Sequence, residues 1–228
     1  MPTLPASSSH RTGSGLQAFL ARLALLALVG VLALVGACDR KAPPQEGRVA
    51  AVLDGDSLRL EGGAEVRVLG IDAPELGKGK HPPEFLAREA QEALAGLTQG
   101  NKVRLEYDRQ RYDRFGRLLA HVFTSDGTHV NVELVRRGLA RVYLHPPNFR
   151  FKEELLRAQK EALEAQRGLW SRPLRQDEPS YLAHRTNFRV HRPGCRLAAG
   201  MAPANRLKIT SLKEAYLMGY SPCRSCKP

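Results

Sequence analysis

Between Val49 and Ile71 three strand-like runs follow one another with only tight turns between them. Residues 49–53 and 57–60 flank Asp54, Gly55 and Asp56, and Gly62 with Gly63 precedes a third run over 64–71. Asp and Gly suit such reversals: Gly reaches positive φ at little cost, and Asp bonds its own backbone. The period then changes. Leu86, Ala90, Ala93, Leu94 and Leu97 recur at helical spacing, with Pro83 suited to a first turn, which predicts a helix over 83–97. Strands return over 102–107, where Val103, Leu105 and Tyr107 share a face, and over 118–123. A short helix over 130–137 stops at Gly138, and a longer one over 151–165 lines up Phe151, Leu155, Ala158, Ala162 and Ala165.

Three strands, a helix, two strands and two helices fit a five-stranded OB-fold barrel with a helix between strands three and four. The fold class expected is mainly β with α (α+β): this barrel with three helices, plus a small C-terminal module. The 228 residues suffice for one medium domain and a small one. Residues 38–47 and 173–183 are polar and carry prolines, and read as linkers on either side of a domain at 48–172. Residues 184–228 are too few for a good core without help.

The start of the chain reads as a targeting signal at 1–37. It has no Asp, Glu or Lys; Arg11 and Arg22 precede the apolar run 23–37, and small residues lead into Cys38. That layout implies export. The whole chain has 35 Lys+Arg against 23 Asp+Glu, a formal net charge of +12. Such an excess suits a polyanion, either nucleic acid or an anionic membrane surface, and does not choose between them.

Three short motifs carry candidate chemistry. Asp54, Gly55, Asp56 and Ser57 read either as a hairpin turn or as part of a metal site. Arg67 lies inside an apolar run that ends in Ile71, Asp72, Ala73, Pro74 and Glu75. A guanidinium in such a strand needs a partner, because burying it alone is costly. The following acids supply one, in a salt bridge or in a site. Asp113, Arg114, Phe115, Gly116 and Arg117 form a third motif, which also reads as a tight turn between strands.

Together, and in this order, these motifs resemble the staphylococcal nuclease (thermonuclease) family. Val130 and Asn131, the stretch from Leu134 to Ala140, and the closing Gly168, Leu169 and Trp170 add to the resemblance, which covers roughly 48–170. It implies a phosphodiesterase acting on DNA and/or RNA. It also implies a catalytic Ca²⁺ held by Asp56, Asp72 and the carbonyl of Ala73, chemically sensible for a hard cation that takes oxygen ligands. Glu75 matches the general base, and Arg67 and Arg117 match the arginines that grip the phosphate. Lys78, Lys80, Arg114, Phe115 and Tyr143 match or adjoin substrate-contacting positions. Phe115 replaces the tyrosine of well-known members, and His145 replaces a second aromatic beside Tyr143. These changes touch base preference rather than the metal and phosphate roles.

At the other end, His191 and Cys195 give H-x₃-C, and Cys223 and Cys226 give C-x₂-C. Both are metal-ligand spacings. The final ten residues resemble the zinc-binding domain of Ada-type DNA-repair proteins, which implies a structural Zn²⁺ on His191, Cys195, Cys223 and Cys226. A Cys223–Cys226 disulfide is the alternative in an oxidising compartment. Val35, Gly36, Ala37 and Cys38 resemble the lipobox of bacterial lipoproteins. That implies lipidation of Cys38 and attachment to the cell envelope; an ordinary cleaved signal with secretion, or an uncleaved anchor, is the alternative.

Three functions fit. One is an exported calcium-dependent nuclease. A second is a non-catalytic nucleic-acid-binding OB-fold protein, from which the retention of all five charged site residues separates the first. The third is a basic surface protein acting by charge alone, without dependence on a divalent ion. The expected state is a monomer, with no protein partner inferred.

Overall fold

A computed structural model of the chain describes residues 42–77 and 79–228. The signal at 1–37, Cys38 and Lys78 lie outside the described residues. Residues Pro43–Pro228 form one compact unit. Among the described residues no helix is long and apolar enough to cross a membrane.

The expected barrel is present. β1 (Glu46–Asp54), β2 (Ser57–Leu60), β3 (Glu65–Val68), β5 (Lys102–Tyr112) and β6 (Leu118–Phe123) close in the order β1-β2-β3-β6-β5. The closing contact is the parallel pairing of β3 with β6, Val66 opposite Leu118 and Arg67 opposite Leu119. Alternation fills the interior: Leu58, Leu60, Val66, Val68, Val103 and Leu105 are buried while Arg59, Lys102 and Arg104 face out. β6 is buried along its whole length.

The third strand differs from the sequence expectation. The run 64–71 looks continuous, but Gly70 takes φ 81 and breaks it. A Cβ on Gly70 would also stand 2.7 Å from Leu155 Cδ1, so only glycine suits both the turn and the packing. Past the break, Ile71–Asp72 leaves the barrel as β4 and pairs with β7 (Arg141–Val142), Asp72 opposite Arg141. This departure carries Asp72 out of the sheet.

α1 (Ala87–Thr98) starts later than its apolar spacing suggests, because Leu86 sits in the left-handed region at φ 63 and Glu84 N–H bonds Glu75 O instead. α2 (Val130–Arg136) and α3 (Lys152–Glu164) follow as expected, with Leu155, Ala158 and Ala162 buried. The C-terminal segment builds its own sheet from β8 (Tyr181–His184), β9 (Arg189–His191), β10 (Arg206–Ile209) and β11 (Ser221–Pro222), ordered β10-β8-β9-β11. Short helices α4 (Arg196–Ala199) and α5 (Leu212–Leu217) complete it. Its core is continuous with the earlier chain: Tyr181, Val190, Ile209, Tyr216 and Tyr220 pack with Ala162 and Trp170.

One buried group gives the fold a pH signature. His121 on β6 is almost fully enclosed, its Nδ1 3.2 Å from His129 Nε2 and 3.2 Å from Asn131 Nδ2. Burial, helped by His129 and Arg150, pushes its pKa down to about 3. It therefore stays neutral when folded and binds a proton near pH 6.5 when unfolded. Its stabilising contribution is present above pH 6.5 and is lost as pH falls toward 3. The stability gap between wild type and His121→Leu, in which other titrating groups cancel, is expected to shrink by about 2 kcal/mol between pH 7 and pH 5. Urea denaturation at the two pH values measures it; an unchanged gap would show that His121 titrates normally in the fold.

Candidate active site

The turn between β1 and β2 is set by Asp54, whose Oδ1 accepts the Asp56 N–H at 2.9 Å. Asp54 thus does the turn work, and Asp56 points inward and is buried. Asp56 Oδ2 accepts the Ala73 N–H at 2.9 Å, and Oδ1 accepts the Ser57 hydroxyl at 3.1 Å. Arg67 sits opposite Ser57 on β3. Its Nη1 donates to Val68 O at 2.8 Å, and its Nη2 lies 2.9 Å from Asp56 Oδ2 and 3.7 Å from Asp72 Oδ1. One guanidinium is thus wedged between two buried carboxylates, one from the β1–β2 turn and one from β4. Burial raises the Asp56 pKa; Arg67 works against this, and the charges of Asp54 and Asp72 add to it.

The other expected residues surround this pair at different distances. Glu75 is half-exposed, just past β4; its N–H donates to Glu84 Oε2 at 3.1 Å. Arg117 does not touch the acid pair. Its Nε bonds Asp113 Oδ2 at 2.7 Å, while Asp113 Oδ1 accepts the N–H groups of Phe115 and Arg117. Burial would raise the Asp113 carboxyl, but these bonds hold it below its usual value. Arg114 and Arg117 lie 4.7 Å and 5.7 Å from the exposed Phe115 ring. His145 has its pKa lowered by burial and by Arg67 and Arg189, with Asp113 opposing. Tyr143 is fixed by its N–H to Gly70 O, 2.9 Å. Lys80 is exposed in the loop before α1.

What sequence reasoning missed comes from the far end of the chain. Arg189 on β9 places Nη1 2.9 Å from Asp72 Oδ2, and the Ser221 hydroxyl donates to the same oxygen at 2.9 Å. Arg224 Nη2 reaches Asp72 Oδ1 at 2.6 Å, and its other arm pairs with Glu75. Burial alone would raise the Asp72 carboxyl, but Arg189, Arg224 and Arg67 together hold it far below the usual range. Arg189 also lies face-on to Tyr143, its guanidinium carbon 3.8 Å from the ring centre. Arg192 and Arg206, which share Arg189's basic stretch, go elsewhere: Arg192 to Asp177 and Glu178, Arg206 to the carbonyls of Met201 and Ala199.

A second cluster lies next to this contact. The ligand atoms of His191, Cys195, Cys223 and Cys226 all fall within 4.8 Å of one another. The three cysteines are free thiols, so Cys223 and Cys226 are not bridged. His191 Nδ1 is buried without a hydrogen-bond partner. Arg192 N–H points at Cys226 Sγ and Ser225 N–H at Cys223 Sγ, each 3.4 Å. Such a donor set can hold a metal ion.

Residues 65–172 match the family described as "Staphylococcal nuclease homologue". The chain is 35% identical over 127 residues to a thermonuclease of Staphylococcus hyicus, spanning 54% of this chain and 75% of that one. It is 36% identical over 127 residues to a thermonuclease of Staphylococcus intermedius, with the same shares of 54% and 75%. An SPbeta prophage-derived endonuclease, YokF, of Bacillus subtilis is 34% identical over 125 residues, 53% of this chain and 42% of the relative. The chain belongs to the staphylococcal nuclease family.

As a member of that family it is a nuclease-type hydrolase. The matched stretch contains Arg67, Asp72, Glu75, Arg117 and Tyr143; Asp56 precedes it, and Arg189, Ser221 and Arg224 follow it.

The candidate site is braced from behind by Gln159, fully buried on α3. Its Oε1 accepts the Val142 N–H at 2.7 Å and its Nε2 donates to Tyr216 O at 2.5 Å. Val142 is the β7 partner of Ile71, next to Asp72. Gln159→Leu would leave the buried Val142 N–H unpaired, at roughly 1–3 kcal/mol, while Tyr216 O keeps its bond from the Gly219 N–H at 3.0 Å. A loss of about 1–3 kcal/mol in urea denaturation is expected; a loss below about 0.5 kcal/mol would show that the bridge is dispensable.

Proposed function

We propose that the protein is an exported, calcium-dependent nuclease hydrolysing phosphodiester bonds of DNA and/or RNA. The observation that carries this reading is the Arg67 guanidinium held between the buried carboxylates of Asp56 and Asp72. A barrel stabilised for its own sake has little use for that arrangement, because burying three charges costs more than an apolar cluster of the same size.

The donor set fits Ca²⁺. Asp56 Oδ1 accepts only the Ser57 hydroxyl, with no cation on that oxygen among the described residues, and burial raises the pKa of this carboxyl against the pull of Arg67 on Oδ2. Asp56, Asp72 and the Ala73 carbonyl would hold the ion. When bound it supplies Lewis-acid polarisation of the scissile phosphate. Glu75, half-exposed beside the pair, accepts the proton of the attacking water. Arg67 and Arg117 donate to the phosphoryl oxygens as charge grows on them, Arg117 after turning from Asp113. Lys78, Lys80, Arg114, Phe115 and Tyr143 contact the strand around the scissile bond.

Export is supported by the composition of residues 1–37, with Cys38 as the lipid-bearing residue of a cell-envelope lipoprotein; a secreted protein is the other form. The layout remains a nuclease domain at 48–172 and an Ada-like zinc-binding module at 184–228. The orphaned His191 nitrogen and the three gathered thiols support a structural Zn²⁺, whose closed four-ligand shell has no position for a reacting water.

One observation favours a second reading. Both oxygens of Asp72 are already paired with guanidinium groups, as in a barrel that binds nucleic acid without cutting it. Release of acid-soluble nucleotides from DNA and RNA decides between the two. Cutting is expected with Ca²⁺ and not in excess chelator, and Glu75→Gln and Asp56→Asn are each expected to lower kcat on the order of 10²-fold or more. Full activity in chelator would remove the metal assignment, and binding without cutting would establish the second reading.

Elemental analysis of the purified chain is expected to find one Zn²⁺ per molecule, lost in the Cys195→Ala, Cys226→Ala double variant. A metal-free protein with a Cys223–Cys226 disulfide in its mass spectrum would overturn this.

A further inference from the structure

Pro222 and Arg224 of the C-terminal segment line a cleft of about 800 Å³ together with Asp72 and Glu75. Phe85, Arg172 and Arg175 line it as well, with Glu84 and Asp177 as further acids. Arg172 stacks on Phe85, 3.4 Å from the ring centre, and among the described residues neither Arg172 nor Arg175 makes an ion pair. A cleft that joins catalytic carboxylates to unpaired guanidiniums is an electrostatic track for a polyanion.

The C-terminal segment is built to stay. Trp170 packs edge-on against Tyr216 at 5.2 Å, and Phe188 of the C-terminal segment meets Phe149. Gly219 lies where a Cβ would strike Leu144 at 2.8 Å. With Gln159 bonded to Tyr216 O, undocking the segment would expose a continuous core. A removable plug would not be sealed in this way.

Arg189 lines an adjoining pocket that shares Cys223 and Arg224 with this cleft, and it has anchors that do not depend on Asp72. Its Nη1 also bonds Ser221 Oγ at 3.2 Å and Pro222 O at 2.9 Å, and its plane rests on Tyr143. The guanidinium would keep its place if Asp72 turned to another cation. Arg224 has the complementary character: its side chain is 55% exposed, and it holds Asp72 and Glu75, which line the same cleft. The fork that pairs with a carboxylate pairs equally well with a phosphodiester.

We propose that Arg189 and Arg224 are substrate-binding residues of the nuclease, gripping phosphates of a nucleic-acid strand that runs from Asp72 into the cleft along the C-terminal sheet. This rests on the nuclease reading above for the nature of the strand. The C-terminal segment is then part of the substrate site rather than an appendage to it.

The test compares wild type with Arg189→Ala, Arg224→Ala and Arg224→Lys. Cleavage of single-stranded DNA and RNA gives kcat and KM. Fluorescence anisotropy of a labelled oligonucleotide in chelator, over a series of KCl concentrations, gives affinity with chemistry stopped. Each alanine variant is expected to raise KM and Kd on the order of 10-fold, with a smaller effect on kcat, and to reduce the salt slope by about 0.7, the value for one phosphate contact on a single strand. Arg224→Lys is expected to recover part of the affinity and the salt slope. Because the Arg224 side chain is exposed, Arg224→Ala keeps the test open if Arg189→Ala fails to fold. Unchanged KM, Kd and slope in a folded Arg224→Ala would overturn the proposal. So would a rise in kcat, which would mean that the arginines withhold Asp72 from the reaction. If wild type does not cut at all, the nuclease reading fails, while the anisotropy series still decides whether these arginines grip a strand.

Discussion

The buried carboxylate of Asp72 is the point on which the molecule turns. It accepts from Arg189, Arg224 and the Ser221 hydroxyl, with Arg67 at 3.7 Å. A lone carboxylate in that position would face a desolvation cost of several kcal/mol and would take up a proton instead. Three guanidiniums keep it ionised, and each comes from a different element: β3, β9, and the turn between the two terminal cysteines. The charge therefore ties the barrel to the C-terminal sheet more specifically than apolar contact does, because a guanidinium must meet a carboxylate at a set distance and angle.

The barrel's contribution is geometric. Parallel closure of β3 on β6 sets Arg67 beside the strand that Arg117 leads into, and the break at Gly70 swings Asp72 out to meet β7 and the C-terminal segment. Continuous strand geometry through Gly70 would have kept β3 and β4 in one plane and left Asp72 within the sheet. The backbone discontinuity and the placement of the Asp72 carboxylate are two aspects of one local choice, made where Leu155 leaves no room for a side chain.

Much of this was legible in the sequence, for identifiable reasons. Barrel strands and helices leave periods of two and 3.6 in the apolar residues, and β6, α2 and α3 lie within a residue of where those periods place them. The third strand was over-extended because Leu69, Gly70 and Ile71 are as apolar as a strand, and a positive φ has no signature beyond the glycine itself. α1 was started too early because Pro83 suits a first turn equally well as a loop. Arg67 announced its acids, since a guanidinium in an apolar run must find a counter-charge nearby. The Cys and His spacings announced a cluster, though spacing alone does not separate free thiols from a disulfide. The contacts of Arg189 and Arg224 with Asp72 were invisible. They span separations of 117 and 152 residues, and a basic stretch reads the same whether it faces water or a carboxylate.

Those separations order events in time as well as in space. Contacts between residues far apart along a chain form late, because the loop between them must close before the contact repays its entropy. β1, β2 and β3 are neighbours in sequence and can pair early, so the turn that aims Asp56 exists before the segment that completes Asp72 has docked. In that interval Asp72 has Arg67 nearby and little else, and Trp170 awaits Tyr216. The site is therefore completed at the end of folding, and a chain halted one step short would hold a finished barrel around an acid that still lacks two of its three guanidinium partners.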